Sequence, residues 1–333
     1  MQTVTAEALG ALLDDRALIE ALRAMFAAGC EAPVRHHHTI PQAGTPSGRD
    51  ATLLLMPAWE RNAGSGGVLG IKIVTVYPDN GAKGLPAVMG NYMLLDGATG
   101  TPQALIDGQE LTARRTAAAS ALAADYLARE DARVLAMIGT GALAPHLVRA
   151  HATVRPIDDV VIWGRSPDKA QAQAAALDGS LGEKLGGRTI NVQTTDDREA
   201  AVRGADVISC ATLSADPLVA GTWLQPGQHV DLVGGFTPTM RETDDAAIER
   251  ARVYVDTRAG AMSEAGDIVQ PLKSGVLTQE AIQGDLFELT RGEAKGRGGA
   301  EEITLFKSVG TALEDLAAAK LALAGLAESG LGA

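Results

Sequence analysis

Apolar and polar positions follow two rhythms along this chain, and the change between them divides it. Over residues 4 to 28 the apolar positions Leu9, Leu12, Leu13, Leu18, Leu22 and Phe26 fall mostly at spacings of three and four. That spacing predicts one amphipathic helix with a single buried face. From Pro33 the pattern shortens to extended pieces at Val34 to Ile40, Thr52 to Met56 and Val68 to Val76, with glycine- and proline-rich turns between them. A further strand, Ala87 to Leu95, runs into Asp96-Gly97-Ala98-Thr99-Gly100, a hairpin signal that makes Pro102 to Ile106 its partner. The first hundred residues thus read as one helix and a mostly antiparallel or mixed sheet. Leu111 to Leu127 is then strongly helical.

From Arg133 onward, strand and helix segments alternate. The strand at Val160 to Trp163 is followed by a helix from Pro167 to Leu177, with proline in the first turn, where a missing N–H costs nothing. Next come Thr189 to Thr194, a helix opened by Asp196-Asp197, and strands at Asp206 to Cys210, His229 to Val233 and Val253 to Asp256. This alternation predicts an α/β fold, a Rossmann doubly wound parallel sheet. Gly292 to Gly299 reads as a surface loop. Ile303 to Phe306 and an Ala/Leu-rich helix from Val309 to Leu326 close the chain, and that helix is expected to pack on the first domain. The expected organisation is a discontinuous α+β domain, residues 1–112 with 305–333, around a dinucleotide-binding domain, residues 113–304.

The most informative stretch is Val134 to Ala150. Apolar Val134, Leu135, Met137 and Ile138 lead into Gly139-Thr140-Gly141-Ala142-Leu143-Ala144 and then into a helix-compatible segment. In a dinucleotide-binding βαβ unit the first glycine makes the tight turn and the second admits a pyrophosphate. The third small residue lets the helix pack closely, and the helix N-terminus faces the phosphates. Gly139, Thr140, Gly141, Ala142 and Leu143 are therefore candidate cofactor residues. The next strand ends at Gly164-Arg165-Ser166. An acidic residue there would accept from a ribose 2′-hydroxyl, whereas Arg165 and Ser166 suit a 2′-phosphate, so NADPH is expected over NADH, with both cofactors accepted as the alternative. At the carboxyl ends of later strands, Thr212, Val233 and Gly234 are expected to line the nicotinamide, with an ordinary strand-to-loop turn as the alternative.

Composition narrows the function classes. The chain has 333 residues, 46% hydrophobic and 21% charged, with a formal net charge of −12, which argues against a nucleic-acid partner. No apolar stretch approaches a membrane span, and the N-terminal segment carries Asp14, Asp15, Arg16 and Glu20 within its helical period, so it does not read as a signal peptide. Cys30 and Cys210 are the only cysteines; two isolated thiols fit a reducing cytoplasm.

A small imino or amino acid is fixed by its carboxylate, and arginine forks and a lysine suit that task. The first part of the chain offers Arg35, Lys72 and Arg115. Lys72 sits in an apolar strand, where an inward ammonium requires a partner; an outward edge lysine is the alternative. Arg114 and Arg115 point about a hundred degrees apart on a helix, so one is expected to face a pocket and the other solvent. His36-His37-His38 lacks the cluster that would complete a metal site, and no metal is expected. His38 is a candidate beside the substrate, with a half-buried strand histidine as the alternative.

Several segments together resemble the ornithine cyclodeaminase/μ-crystallin family over nearly the whole length. They are Met56-Pro57, Lys72 with Tyr77-Pro78 and Lys83-Gly84-Leu85, Leu111-Thr-Ala-Arg-Arg-Thr-Ala-Ala, and the Gly139-Thr-Gly turn. Gly204-Ala-Asp-Val-Ile, Pro226-Gly227 and Phe306-Lys307-Ser308-Val-Gly310 complete the set. The resemblance implies that Arg35, Lys72 and Arg115 hold a substrate carboxylate, that Thr116 and Ser308 contact the cofactor, and that the first domain builds a homodimer. One position departs: cyclodeaminases carry a catalytic aspartate just after Val-Gly-Gly, and here it is Phe236. A phenyl ring cannot take a proton, and it suggests an apolar wall against a ring. With Arg165, this points to the branch that reduces cyclic ketimines such as Δ1-pyrroline-2-carboxylate or Δ1-piperideine-2-carboxylate to L-proline or L-pipecolate. Three alternatives stay open: an alanine-dehydrogenase-like or N-alkyl imino acid reductase, an ornithine cyclodeaminase, and a non-catalytic NADPH-binding protein of the crystallin type.

Overall fold

The computed structural model describes residues 1–42, 50–178 and 181–329; the turn expected over 43–49 lies outside the described residues. The chain forms two compact units, residues 1–115 with those from 311 onward, and residues 116–310.

The first unit holds six strands: β1 (Gln2–Val4), β2 (His36–Ile40), β3 (Ala51–Trp59), β4 (Val68–Val76), β5 (Val88–Asp96) and β6 (Pro102–Asp107). Their order is β1-β6-β5-β4-β3-β2. Every pairing is antiparallel except β1 with β6. At three residues β1 is too short to show a period, and the hydrophobic pattern did not reveal it. The single helix expected over 4 to 28 is two helices, Ala6–Leu12 and Asp15–Ala28. Between them Asp14 is extended, and its side chain accepts from the Ala17 N–H at 3.0 Å. That cap restarts the helix at the five-residue step from Leu13 to Leu18, the one break in the apolar spacing. The final helix, Ala312–Ser329, packs on the helix Asp15–Ala28 and on β3, β4 and β5, the placement expected from its apolar composition.

The second unit is a parallel sheet of eight strands: β7 (Val134–Ile138), β8 (Asp159–Trp163), β9 (Asn191–Thr194), β10 (Val207–Cys210), β11 (His229–Leu232), β12 (Arg252–Val255), β13 (Gly284–Asp285) and β14 (Thr304–Lys307). The order is β13-β12-β14-β11-β10-β7-β8-β9, all parallel. The chain leaves β7 in one direction toward β8 and β9, then returns to the other side of β7 for β10 and β11. That reversal opens the crevice at the carboxyl ends of β7 and β10, where such sheets bind ligands. Because β14 pairs with β11 and β12, residues 305–310 go with this sheet, and the division falls at 310/311 rather than 304/305. On one face of this sheet Ala136, Ile138, Ile208, Val230, Leu232 and Leu305 fall in adjacent register rows and are all buried. No helix among the described residues is long and apolar enough to cross a membrane.

Candidate active site

In the first unit β4 presents Lys72 to the face covered by the final helix, and Lys72 is only 2% exposed. Its Nζ lies 2.9 Å and 2.7 Å from the two carboxylate oxygens of Asp315, and 3.4 Å from the Thr112 hydroxyl. The same carboxylate accepts from Arg115 Nε at 2.9 Å, while Arg115 Nη1 donates to Glu314 at 2.6 Å. Glu314 and Asp315 stand in the first turn of the final helix, where its dipole favours negative charge. Two buried cations are thereby balanced by two buried carboxylates, which is the condition for charge in a core. Arg115 Nη2 has no hydrogen-bond partner among the described residues.

The electrostatics follow from this packing. Burial pushes Lys72 down to about 8; Asp315 opposes the fall, while Arg115 and Arg35 add to it. Arg35 is therefore close enough for Lys72 to feel its charge. Burial works against the Asp315 carboxylate, but Lys72 and Arg115 hold it below the usual range.

Two expectations need correction. Arg114 is not solvated: it is buried, its Nε donates to Glu110 at 2.6 Å and its Nη1 to the Leu13 carbonyl at 3.0 Å. Both arginines of the pair are thus committed to separate partners. His38 does not share a face with Lys72. In the ladder His38 pairs with Leu53 and Leu53 with Thr75, whereas Lys72 pairs with Met56. Strand pleating puts those rows on opposite faces of the sheet, so His37 lies on the Lys72 side; His36, His37 and His38 are all exposed.

In the second unit the strand, glycine turn and helix occur in the order expected: β7, then Gly139 to Leu143, then the helix Ala144–Val154. Gly139 has φ of 121°, and a Cβ there would fall 2.8 Å from the Ala211 carbonyl oxygen. Only glycine fits that conformation and that approach. No side chain caps the helix that follows, and Ala144 is fully buried against the sheet. These are the features a pyrophosphate requires of its cradle.

Beyond β8, Arg165 is exposed and makes no ion pair or hydrogen bond among the described residues. It lines a cleft with Trp163, Pro167, Thr194, Thr195 and Asp196, and Ser166 precedes the helix Pro167–Asp178. Thr212 and Gly234 lie two residues past the ends of β10 and β11. Val233 donates its N–H to the Cys210 carbonyl at 2.8 Å, and Ser308 donates its own to Leu232 at 3.1 Å. Thr116 is buried in the helix Gly108–Leu127. Phe236 is 46% exposed. Among the described residues no group of three or more His, Cys, Asp or Glu side chains is placed to hold a metal ion.

Residues 4–329 match the ornithine cyclodeaminase/mu-crystallin family. The chain belongs to that family. It is 40% identical over 291 residues to the Delta(1)-pyrroline-2-carboxylate reductase of Paracoccus denitrificans, covering 85% of this chain and 87% of that one. Among solved structures, Thermococcus litoralis Delta(1)-pyrroline-2-carboxylate reductase in complex with NADH and L-proline superposes with a TM-score of 0.88 at 33% identity, covering 99% of this chain and 98% of that one. An archaeal alanine dehydrogenase dimer with bound NAD gives a TM-score of 0.87 at 28% identity, covering 100% and 98%.

The buried carboxylates beside Lys72 and Arg115 are those of Asp315 and Glu314. Asp315 and Glu314 were not singled out from the sequence. Their signal was a lone acidic pair opening an Ala/Leu-rich helix, a pattern equally expected of an ordinary helix start. Lys307 was noted only as part of Phe306-Lys307-Ser308; it proves to be a fully buried cation with Asp267 and Glu242 around it.

Proposed function

We propose that this protein reduces Δ1-pyrroline-2-carboxylate to L-proline, and its six-membered homologue Δ1-piperideine-2-carboxylate to L-pipecolate, with NADPH preferred and NADH accepted. The observation that carries the reading is the Lys72–Arg115 pair. Held from behind by Asp315 and Glu314, Arg115 keeps Nη2 for an incoming carboxylate, and Lys72 and Arg35 add positive charge beside it. A guanidinium pinned at two of its nitrogens is already oriented, so the substrate does not bear the cost of ordering it.

NAD(P)H, when bound, supplies the hydride that reduces the imine carbon. Gly139 to Leu143 would hold its pyrophosphate, Thr116, Thr212, Val233, Gly234 and Ser308 would contact it, and Arg165 with Ser166 would take a 2′-phosphate. The chain's remaining tasks are to fix the carboxylate and to hold the imine with its nitrogen already protonated, so that hydride addition at carbon moves the C=N π pair onto nitrogen and gives the amine directly. Phe236 offers an apolar surface for the carbon ring. No group here replaces the cyclodeaminase aspartate at its position, which is why reduction is favoured over ring-closing deamination. The similarity to Delta(1)-pyrroline-2-carboxylate reductases, one of them solved with NADH and L-proline, supports the same assignment.

The working form proposed is a homodimer built through the six-stranded sheet. The face of that sheet turned away from Lys72 carries Leu53, Leu55, Leu69, Ile71, Ile73 and Met93, none of them buried, with Ile73 39% exposed. An apolar sheet face of this kind calls for a covering partner. A cytoplasmic location is proposed from the two separate thiols, both buried and free. The test is NAD(P)H oxidation with the five- and six-membered imines side by side. Turnover with an NADPH preference is expected. Turnover only with alanine and NAD would replace this reading by amino-acid dehydrogenation, and proline release from ornithine without added reductant by cyclodeamination.

A further inference from the structure

The carboxyl edge of the parallel sheet contains a second buried ion network, which the reduction as described leaves without a role. Glu242 is fully buried. Its Oε1 accepts from both the N–H and the hydroxyl of Thr212, at 2.7 Å and 2.8 Å, and its Oε2 accepts from the Gly234 N–H at 2.7 Å. Thr212 follows β10 and Gly234 follows β11, so one carboxylate ties together the ends of two adjacent strands. The closure is tight: a Cβ on Gly234 would fall 1.9 Å from the Thr212 carbonyl oxygen and 2.5 Å from Glu242 Oε1. Glu242 is itself fixed from behind. Asp267 Oδ1 accepts from the N–H groups of Glu242 and Thr243 at 2.8 Å and 3.0 Å. Lys307, buried at the end of β14, lies 3.1 Å from Asp267 Oδ2 and 3.8 Å from Glu242 Oε2.

A network of this kind is an expensive way merely to close a strand end, because burying three charges forfeits more hydration than apolar packing would. What it delivers is geometry. Of its two clamped segments, the one at Thr212 adjoins the glycine turn, since Ala211, the residue before Thr212, is the one whose carbonyl faces Gly139. Both lie at the edge of the sheet where the nicotinamide end of the cofactor is proposed to rest.

We infer that Glu242 is a positioning residue for hydride transfer: by holding Thr212 and Gly234 in one fixed relation, it sets the face and depth at which the nicotinamide ring is presented. The inference rests on the imine reduction proposed above. Glu242→Gln keeps size and one acceptor but turns an NH2 toward an N–H, which opens one side of the clamp. Asp267→Asn keeps the acceptor for Glu242 and Thr243 while removing the charge opposite Lys307.

The experiment takes the full chain and both variants. It measures unfolding, NADH affinity by fluorescence, kcat and KM with Δ1-pyrroline-2-carboxylate, and transfer from NADH deuterated at C4 on one face or the other. A displacement of the ring by a fraction of an ångström to an ångström is expected to cost Glu242→Gln about 100-fold in kcat, with NADH affinity held to roughly fivefold and deuterium leaking from the normally silent face. Asp267→Asn should lose about tenfold by the same route. A folded Glu242→Gln with kcat within about threefold of the unaltered protein and unchanged facial selectivity would overturn the inference. Should Glu242→Gln not fold, Asp267→Asn decides by the same readouts: lost kcat with facial leakage supports the role, and normal values refute it. Absence of imine turnover in the unaltered protein would sink the reduction itself, whereas normal turnover in a folded variant sinks only the role of Glu242.

Discussion

The Lys72–Arg115 cluster of the first unit, proposed to take a carboxylate, and the glycine turn of the second, proposed to take a pyrophosphate, would solve the same problem, holding an anion, with opposite means. The turn uses backbone: Gly139 to Ala144 is one contiguous segment whose conformation and helix end present N–H groups. The cluster uses side-chain charge collected across the chain, with Lys72 and Asp315 meeting across 243 positions of sequence. A backbone cradle is cheap to specify and hard to alter, since its weak point is a single torsion angle. A charge cluster is costly to bury, and its weak point is any one member, because each removal strands the others.

The largest effect should come from the hub of the cluster. Asp315→Ala leaves Lys72 and Arg115 buried with one carboxylate between them, and about 3–5 kcal/mol of stability should be lost, the usual cost of breaking a buried pair. Imine turnover should vanish while NADH affinity stays within roughly threefold. Denaturant unfolding and fluorescence titration check the two halves. Equal loss of cofactor affinity would show that the regions are not energetically separate. The converse is Gly139→Ala. It forces an L side chain to φ of 121° with its Cβ 2.8 Å from the Ala211 carbonyl oxygen. About 1–3 kcal/mol of strain, more if the carbonyl cannot shift, should appear as weaker NADH binding. Stability of the first unit toward proteolysis should be unchanged.

The same contrast explains what could be read from the sequence. The parallel sheet, its glycine turn and the β4 and β5 strands were legible because each is a local pattern: a periodicity, a turn signal or a strand length. Lys72 and Arg115 stood out as cations in apolar segments, and the fold brings both onto Asp315. Their partners did not stand out, because nothing local distinguishes Glu314 and Asp315 from the acidic start of any helix. Only the fold that brings the final helix onto β4 makes them partners. His38 was misplaced for a related reason: alternation says that His36 and His38 share a face, but not which face, until the ladder fixes their register to Lys72. Likewise Arg114 gave no sign of its acceptor, the Leu13 carbonyl, a hundred and one positions away.

Within the second unit, Arg165→Ala sharpens the comparison, because it adds side-chain charge to a backbone site. Its guanidinium is exposed, so its removal should leave folding unchanged. Loss of a charged hydrogen bond to a 2′-phosphate should weaken NADPH by about 1–3 kcal/mol while NADH is little affected. The measurement is the ratio of kcat/KM for the two cofactors. Equal losses would take Arg165 out of the specificity argument, and Asp196, in the same cleft, would become the residue to vary.

The smallest expected effect is a pH limb, and it tests the cluster without breaking it. Burial pushes Lys72 down to about 8, so in the folded protein it loses its charge through that range. In the unfolded chain it would hold its proton to about 10.4. The unfolded state therefore binds more protons between those values, and Lys72 penalises folding at neutral pH, a penalty relieved as pH rises from about 8 toward 10.4. Activity should run the other way. Only the charged ammonium attracts a carboxylate, so kcat/KM should fall by up to about tenfold per unit above pH 8 as the free enzyme titrates. A bound carboxylate favours the ammonium, which moves the corresponding limb of kcat to higher pH. Asp315→Asn removes the main opponent of that lowering while keeping a hydrogen-bond acceptor, so the limb in kcat/KM should shift to lower pH. Because the imine is the same in both proteins, its own ionisation cancels from the comparison. An Asp315→Asn profile that overlays the original would mean that Lys72 does not titrate in the working range, and that its contribution to the site is fixed charge alone.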